Sequence, residues 1–255
     1  MPLLSIITAA WAPSETHVEF IFEAYESLRG QESLGEWDWE WVVQEDGERP
    51  QLRERLPNDL RIRYAAIGMR LGTAACRTLA LERARGEATR CLDQDDVLLN
   101  RGLAIPLELL ANYPRAEWAA GERWELIMPE RRVVREPLTT ALADGLVEPG
   151  KLTELLREID LFVIHCAGLT IRTDIFRAFG GWMAVPRSED VITLAAINMY
   201  HAGAYSSQPT FLYRRWPDQI TQQQWWHQLE PIARSILWQR VEAIGKIGQR
   251  NRGWR

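Results

Sequence analysis

Residues 3–8, Leu-Leu-Ser-Ile-Ile-Thr, form an apolar run with no polar face. The run is too short for a helix and lacks the alternation of a half-exposed strand. It is the pattern of a strand buried on both sides within a parallel sheet. Such a strand imposes layers on the rest of the chain, because parallel neighbours need crossover connections and these place helices on the sheet faces. The following segments fit. Thr16 and Glu19 make a capping-box pattern, Val18, Ile21, Tyr25 and Leu28 recur at helical spacing, and Gly30 is a terminator. Residues 39–43 read as a second strand and 61–65 as a short third. Residues 73–85 read as a helix closed by Gly86, and 88–92 as a further strand. Strands and helices that alternate in this way predict an open α/β sheet with right-handed crossovers. In such sheets, ligands lie beyond the C-terminal strand ends.

The second half is less regular. A helix is predicted over 103–112, a hairpin over 116–128 and 132–134, and loop followed by helix over 138–156. An apolar strand is predicted over 161–171, a short helix over 173–179 ending at Gly180-Gly181, and a helix over 188–201 opening on Ser188-Glu189-Asp190. A last strand over 204–213 precedes a helical tail over 221–247, interrupted at Pro231. The reading is therefore one α/β domain over residues 1–221 and a helical extension over 222–255. A chain of 255 residues that is 46% hydrophobic has enough apolar content for such a core.

The charge balance excludes some partners. With 30 basic against 35 acidic side chains, the net charge is −5, and there is no general attraction for nucleic acid or an anionic membrane. A phosphate-bearing ligand must be held locally. Cys76, Cys91 and Cys166 are an odd, widely spaced set, which predicts a reduced, cytoplasmic setting. The N-terminus lacks the basic region of a signal peptide, and no apolar stretch approaches the ~18 residues of a membrane span. The twelve tryptophans fit core and interface packing better than sugar stacking. The apolar tail, with Trp225, Trp226, Ile236, Leu237 and Trp238, is expected to pack on the domain or on a second copy in a homodimer.

Acidic groups gather at predicted strand ends. Asp93, Asp95 and Asp96 follow the strand over 88–92, and Glu45 and Asp46 follow the strand over 39–43. Three carboxylates on one turn repel one another unless water or a cation compensates them, so the turn is either a solvated surface turn or a site for Mg²⁺ or Mn²⁺, which favour hard oxygen ligands. Glu189 and Asp190 stand in the first turn of a predicted helix, either to complement its dipole or to act as a base. His165, in an apolar segment, is either a satisfied core histidine or a ligand-facing group. Arg172, Arg214 and Arg215 are candidates either for diphosphate binding or for surface ion pairs.

Taken in order, these segments resemble the family 2 glycosyltransferases. The resemblance is carried by Leu4-Ser5-Ile6-Ile7-Thr8, by Glu26-Ser27-Leu28-Arg29-Gly30-Gln31 and by Trp39 through Gly47. It continues through Cys76-Arg77-Thr78-Leu79-Ala80, Leu92-Asp93-Gln94-Asp95-Asp96, Phe179-Gly180-Gly181-Trp182 and Ser188-Glu189-Asp190-Val191. It implies a GT-A fold, with a mostly parallel central sheet flanked by helices. It also implies an inverting, metal-assisted transfer of a sugar, of hexosyltransferase type, from a nucleotide diphosphate donor to a hydroxyl of a small-molecule, glycan or lipid-linked acceptor. By the same resemblance Glu45 or Asp46 contacts the nucleobase, Asp93 lies near ribose or base, and Arg77 supports the nucleotide pocket. Asp95 is the main metal ligand, with Asp93 and Asp96 beside it, and Asp190 is the base with Glu189 as second choice. Three positions depart from the family pattern. Glu45-Asp46-Gly47-Glu48 stands where Asp-Asp-Gly-Ser is usual, Thr78 replaces an asparagine, and Trp216 lies where many relatives carry a metal-binding histidine. Two rival readings remain, a nucleotidyltransferase and a non-catalytic sugar- or nucleotide-binding protein of the same fold.

Overall fold

A computed structural model describes residues 1–31, 34–138 and 140–252; positions 253–255 of the predicted extension lie outside the described residues. The strands are β1 (Leu3–Ala10), β2 (Asp38–Glu45), β3 (Ile62–Ala66), β4 (Ala88–Cys91), β5 (Val97–Leu98), β6 (Ala116–Ile127), β7 (Arg132–Val134), β8 (Gly145–Val147), β9 (Leu169–Arg172) and β10 (Ala202–Arg215). The helices are α1 (Glu15–Arg29), α2 (Thr73–Arg83), α3 (Ala104–Asn112), α4 (Lys151–Ile159), α5 (Thr173–Ala178), α6 (Glu189–Asn198), α7 (Gln224–Gln228) and α8 (Glu230–Arg252).

One sheet runs β3-β2-β1-β4-β9-β6-β10-β5, with β7 added on β6 and β8 on β10. Its first four strands are parallel, and β1 pairs with β2 on one side and β4 on the other. Beyond β4 the sheet is mixed, since β9 is antiparallel to both β4 and β6 whereas β6 and β10 are parallel. Burial of β1 on both faces is borne out. Leu4 and Ile6 pack into a core with α1 and α3, while Ile7 faces the opposite core built from α2, α4 and α6.

Several local readings are corrected. The capping box does not form. Helix α1 starts at Glu15 with Ser14 as N-cap, and the Ser14 hydroxyl pairs with His17 Nδ1 at 2.8 Å. Residues 161–165 are not a strand. Val163 and Ile164 are apolar because they fill the core under α4 and α6, and the chain joins the sheet only after the tight turn Cys166–Gly168. There a Cβ on Gly168 would lie 2.6 Å from the Gly121 carbonyl, so close passage over β6 requires glycine. Pro231 lies in the first turn of α8, where it needs no amide hydrogen, and the break falls before it. The tail packs on the domain, with Leu237 and Val241 against Ile192 and Ala195 of α6. No helix among the described residues is long and apolar enough to cross a membrane.

Candidate functional site

Because β1, β2 and β4 are parallel neighbours, their C-terminal ends open on one edge of the sheet. The loops there are stitched together. The Asp46 amide donates to the Ala10 carbonyl at 2.7 Å. Gln94 exchanges two hydrogen bonds with the Trp11 backbone, at 2.6 and 3.0 Å. The edge is thus a single surface built by the turns after β1, β2 and β4.

The two acidic groups at the end of β2 are both held by backbone donors of neighbouring loops. The Glu45 carboxylate accepts the backbone N–H groups of Gln51 (2.9 Å) and Leu52 (3.0 Å) and the Tyr64 hydroxyl at 2.5 Å. Asp46 accepts the N–H groups of Leu71 (2.6 Å) and Gly72 (3.2 Å), just ahead of α2. Glu45 is 2% exposed, and its acceptor capacity serves the turn over 51–54. A nucleobase contact through its carboxylate is not available in this arrangement. Asp46 sits at the rim, with Arg70 Nε 3.9 Å away. The Arg70 guanidinium lies 3.8 Å above the Trp11 ring.

The turn after β4 divides its carboxylates among three tasks. Asp93 pairs with Arg77, a buried residue of α2 whose other terminal nitrogen reaches Glu189 Oε1 at 2.5 Å. One guanidinium therefore joins the end of β4 to the start of α6. Against the opposing push of burial, its charge holds Asp93 below the usual carboxylate range. Asp95 accepts the indole N–H of Trp216 at 3.1 Å. Burial, and then the nearby Asp93 charge, push Asp95 up to about 6.

Asp96 is set apart from the other two. It is wholly buried, its Oδ1 accepts the Arg214 backbone N–H at 3.0 Å, and Oδ2 has no hydrogen-bond partner among the described residues. Burial, reinforced by Asp95 and Asp93, pushes its carboxyl well above the usual range. The expectation that Asp96 faces a cation beside Asp95 is corrected, since its side chain points into the protein and holds β10 to the turn. Arg214 is equally buried. It donates to the Asp95 carbonyl at 2.6 Å and to Glu23 at 2.8 Å, which removes it from diphosphate binding. Arg172 and Arg215 form ion pairs with Glu117 and Glu125. Among the described residues no group of three or more His, Cys, Asp or Glu side chains converges as a ready-made metal cage.

Helix α6 faces this turn. Its N-cap, Ser188, has φ +60°, a left-handed conformation that costs a non-glycine residue about 1–3 kcal/mol and gathers at functional sites. Glu189 is buried against Arg77, and burial pushes it up to about 7 against the pull of that cation. Asp190, next in sequence, is half-buried, with no hydrogen bond or ion pair among the described residues. The loop before α6 is clamped from behind by Arg187, which donates to the Trp226 carbonyl at 2.7 Å and pairs with Glu230 at 2.5 Å.

The family resemblance implies that Arg77, Asp93, Asp95, Glu189 and Asp190 share one site, and in the structure Arg77 joins Asp93 to Glu189 directly. Sequence reasoning missed the Trp216 contact with Asp95 because an indole was weighed only as a non-ligand. It also left His165 undecided. The structure packs the His165 ring 4.6 Å from Tyr213 and 5.2 Å from Phe211, and burial lowers its pKa against the pull of Asp93 and Asp190.

No family model matches the chain, and no curated protein matches its sequence. Among solved structures the chain resembles TarS of S. aureus. It aligns over 84% of its length with TarS 1–349 in complex with UDP, at TM-score 0.63 and 17% identity, and covers 61% of that chain. It aligns over 85% of its length with TarS 1–349 in complex with UDP-GlcNAc, at TM-score 0.63 and 16% identity, and covers 59% of that chain. The present chain thus spans about three-fifths of each of these two TarS chains. The shared architecture is the GT-A fold.

Proposed function

We propose that this GT-A chain is an inverting glycosyltransferase that moves a hexose from a nucleoside diphosphate to an acceptor hydroxyl. One observation carries the reading. Two adjacent carboxylates open α6, one locked to Arg77 and the other, Asp190, with no side-chain partner among the described residues. A carboxylate serving only the helix dipole needs no buried twin, no left-handed N-cap and no cation from α2. A free carboxylate on a rigid support is what a general base requires. The acceptor oxygen attacks the anomeric carbon, the bond from that carbon to the leaving phosphate oxygen breaks, and Asp190 takes the hydroxyl proton. Supporting the donor class, TarS, a family 2 glycosyltransferase, has been crystallised with UDP and UDP-GlcNAc.

The donor set also suits a divalent cation. Mg²⁺ and Mn²⁺ at phosphate sites take one or two carboxylates, with water and phosphate oxygens completing the shell. Asp95, which has no ion-pair partner among the described residues and is raised by burial, offers one ligand, and Asp93 the second. When bound, the ion would offset the charge of the leaving diphosphate. Arg77 keeps Asp93 and Glu189 in place, and Trp216 fixes the Asp95 carboxylate. We assign catalysis to residues 1–221 and a buttressing role to 222–255, in keeping with the Arg187 clamp.

The test is calorimetry of UDP and other nucleoside diphosphates with and without Mn²⁺, alongside hydrolysis of their sugar esters by wild type and Asp190→Asn. The expected outcome is metal-enhanced binding in both proteins and turnover lowered about 10²-fold or more in the variant. Binding with full turnover in Asp190→Asn would sink the base assignment, and failure to bind any nucleoside diphosphate would sink the reading as a whole.

A further inference from the structure

Inside the sheet, β4 carries a cation to which the proposed chemistry gives no task. Arg90 is wholly buried. Strand alternation decides which way it points. Ala88 and Leu92 belong to the core under α1 and α3, and Cys91 to the opposite core, so Arg90 lies on the α3 face. Pairing across the sheet sets it in a row. Arg90 stands opposite Thr170 of β9, Thr170 opposite Ala119 of β6, and Ala119 opposite Ala204 of β10. The small side chains of this row leave an arginine room to lie across the sheet. Its Nη2 reaches Thr210 Oγ1 of β10 at 3.3 Å. Thr210 in turn packs over Gly121, where an added Cβ would overlap its methyl group.

The surroundings do not neutralise this charge. Arg90 Nε and Nη1 and the Thr170 hydroxyl have no hydrogen-bond partner among the described residues, and side chains directly opposite on paired strands start only about 5 Å apart. The Glu122 carboxylate, on β6, faces the other side of the sheet, where the Tyr205 hydroxyl donates to it at 3.0 Å. The cover from α3 is apolar, with Leu107 and Leu110 in the same core as Ala119 and Ala204. Burial brings Arg90 down to about 10, which leaves it charged at neutral pH. A buried charge left unpaired is strongly destabilising.

Free N–H and O–H donors around one positive charge call for a species that accepts, donates nothing and is negative. Water brings no charge, and it has two hydrogens of its own to place among apolar side chains. Full burial restricts the species to a small ion. We propose that Arg90 and Thr170 form an interior binding site for a monoatomic anion such as chloride, held by guanidinium N–H groups and the Thr170 hydroxyl beneath α3. This site lies within the sheet and not on its C-terminal edge, and it does not depend on the glycosyltransferase reading. An anion bound there by the folded chain alone raises stability by mass action.

The test uses the full chain at fixed ionic strength in sodium gluconate, whose anion is too large for the interior, with gluconate replaced stepwise by chloride. Thermal melts are compared for wild type, Arg90→Met, which keeps an apolar stem without the charge, and Thr170→Val, which keeps the shape without the hydroxyl. Crystals of wild type are soaked in bromide and measured for anomalous scattering. The expected result is a wild-type midpoint that climbs by about 2 °C or more with the logarithm of chloride concentration. The response should be flat in Arg90→Met and reduced in Thr170→Val, with a bromide peak within hydrogen-bond distance of Arg90 and Thr170. A shift of equal size in Arg90→Met would be a general salt effect and would overturn the proposal, as would crystals with no bromide at Arg90. Should Arg90→Met fail to fold, the other two measurements decide: an undiminished shift in Thr170→Val with no bromide peak overturns it.

Discussion

The C-terminal ends of β2 and β4 occupy equivalent places in the fold and both carry acidic side chains, yet they use their carboxylates in opposite ways. At the end of β2, Glu45 and Asp46 together accept four backbone N–H groups and a tyrosine hydroxyl, so they act as supports for the loops over 51–54 and 70–72. After β4, only Asp96 is committed inward. Asp93 shares a cation with α6, and Asp95 meets a single indole N–H. A carboxylate surrounded by backbone donors has its lone pairs filled. One that meets a single neutral donor is still able to take a ligand. Position at a strand end marks both turns as candidates, but the bonds already made decide which one can do chemistry.

The comparison can be broken most directly at Asp95. Asp95→Ala is expected to lower kcat/KM about 10²-fold or more, because charge stabilisation at the leaving diphosphate is lost. Its urea midpoint should stay close to that of wild type. A large drop in midpoint with activity retained would put Asp95 in the same class as Glu45.

Glu45→Gln is the mirror experiment. One carboxylate oxygen becomes an NH₂ group facing backbone N–H groups or a hydroxyl in a buried setting. The expected cost is about 1–3 kcal/mol in urea unfolding, with nucleotide affinity of the folded protein unchanged. Intact stability with lost affinity would return Glu45 to the nucleobase role that the family resemblance implies.

The smallest effect concerns pH and extends the comparison to α6. Burial raises Glu189 from 4.5 to about 7, so the folded chain holds this proton more tightly than the unfolded chain does. The resulting stabilisation is complete below about pH 4.5 and is lost as pH rises through 7. In thermal melts the advantage of wild type over Glu189→Gln should shrink across that window. An advantage that grew instead would mean that Arg77 keeps Glu189 ionised.

Much of this was legible in the sequence where local pattern decides. The apolar run of β1, the helical spacing of Val18, Ile21 and Leu28, and the Gly180-Gly181 turn all carry their structure within a few residues. The Gly-Gly turn shows why. Both residues have positive φ, and Gly181 lies close against Thr78 and Leu81 of α2. Destinations set by distant partners were not legible. Glu45 turns inward because Tyr64, nineteen residues on, donates to it, and Asp96 does so because it meets Arg214 from the last strand. Strands β5 and β8, two and three residues long, carry no periodicity of their own and exist because β10 offers them an edge.

The shared use of Arg77 has a kinetic consequence. One guanidinium already serves two carboxylates, while Asp95 and Asp190 have no ion-pair partner among the described residues. For the diphosphate donor proposed above, these carboxylates oppose entry, and added salt, which normally slows the capture of a charged ligand, should quicken it here by screening the repulsion.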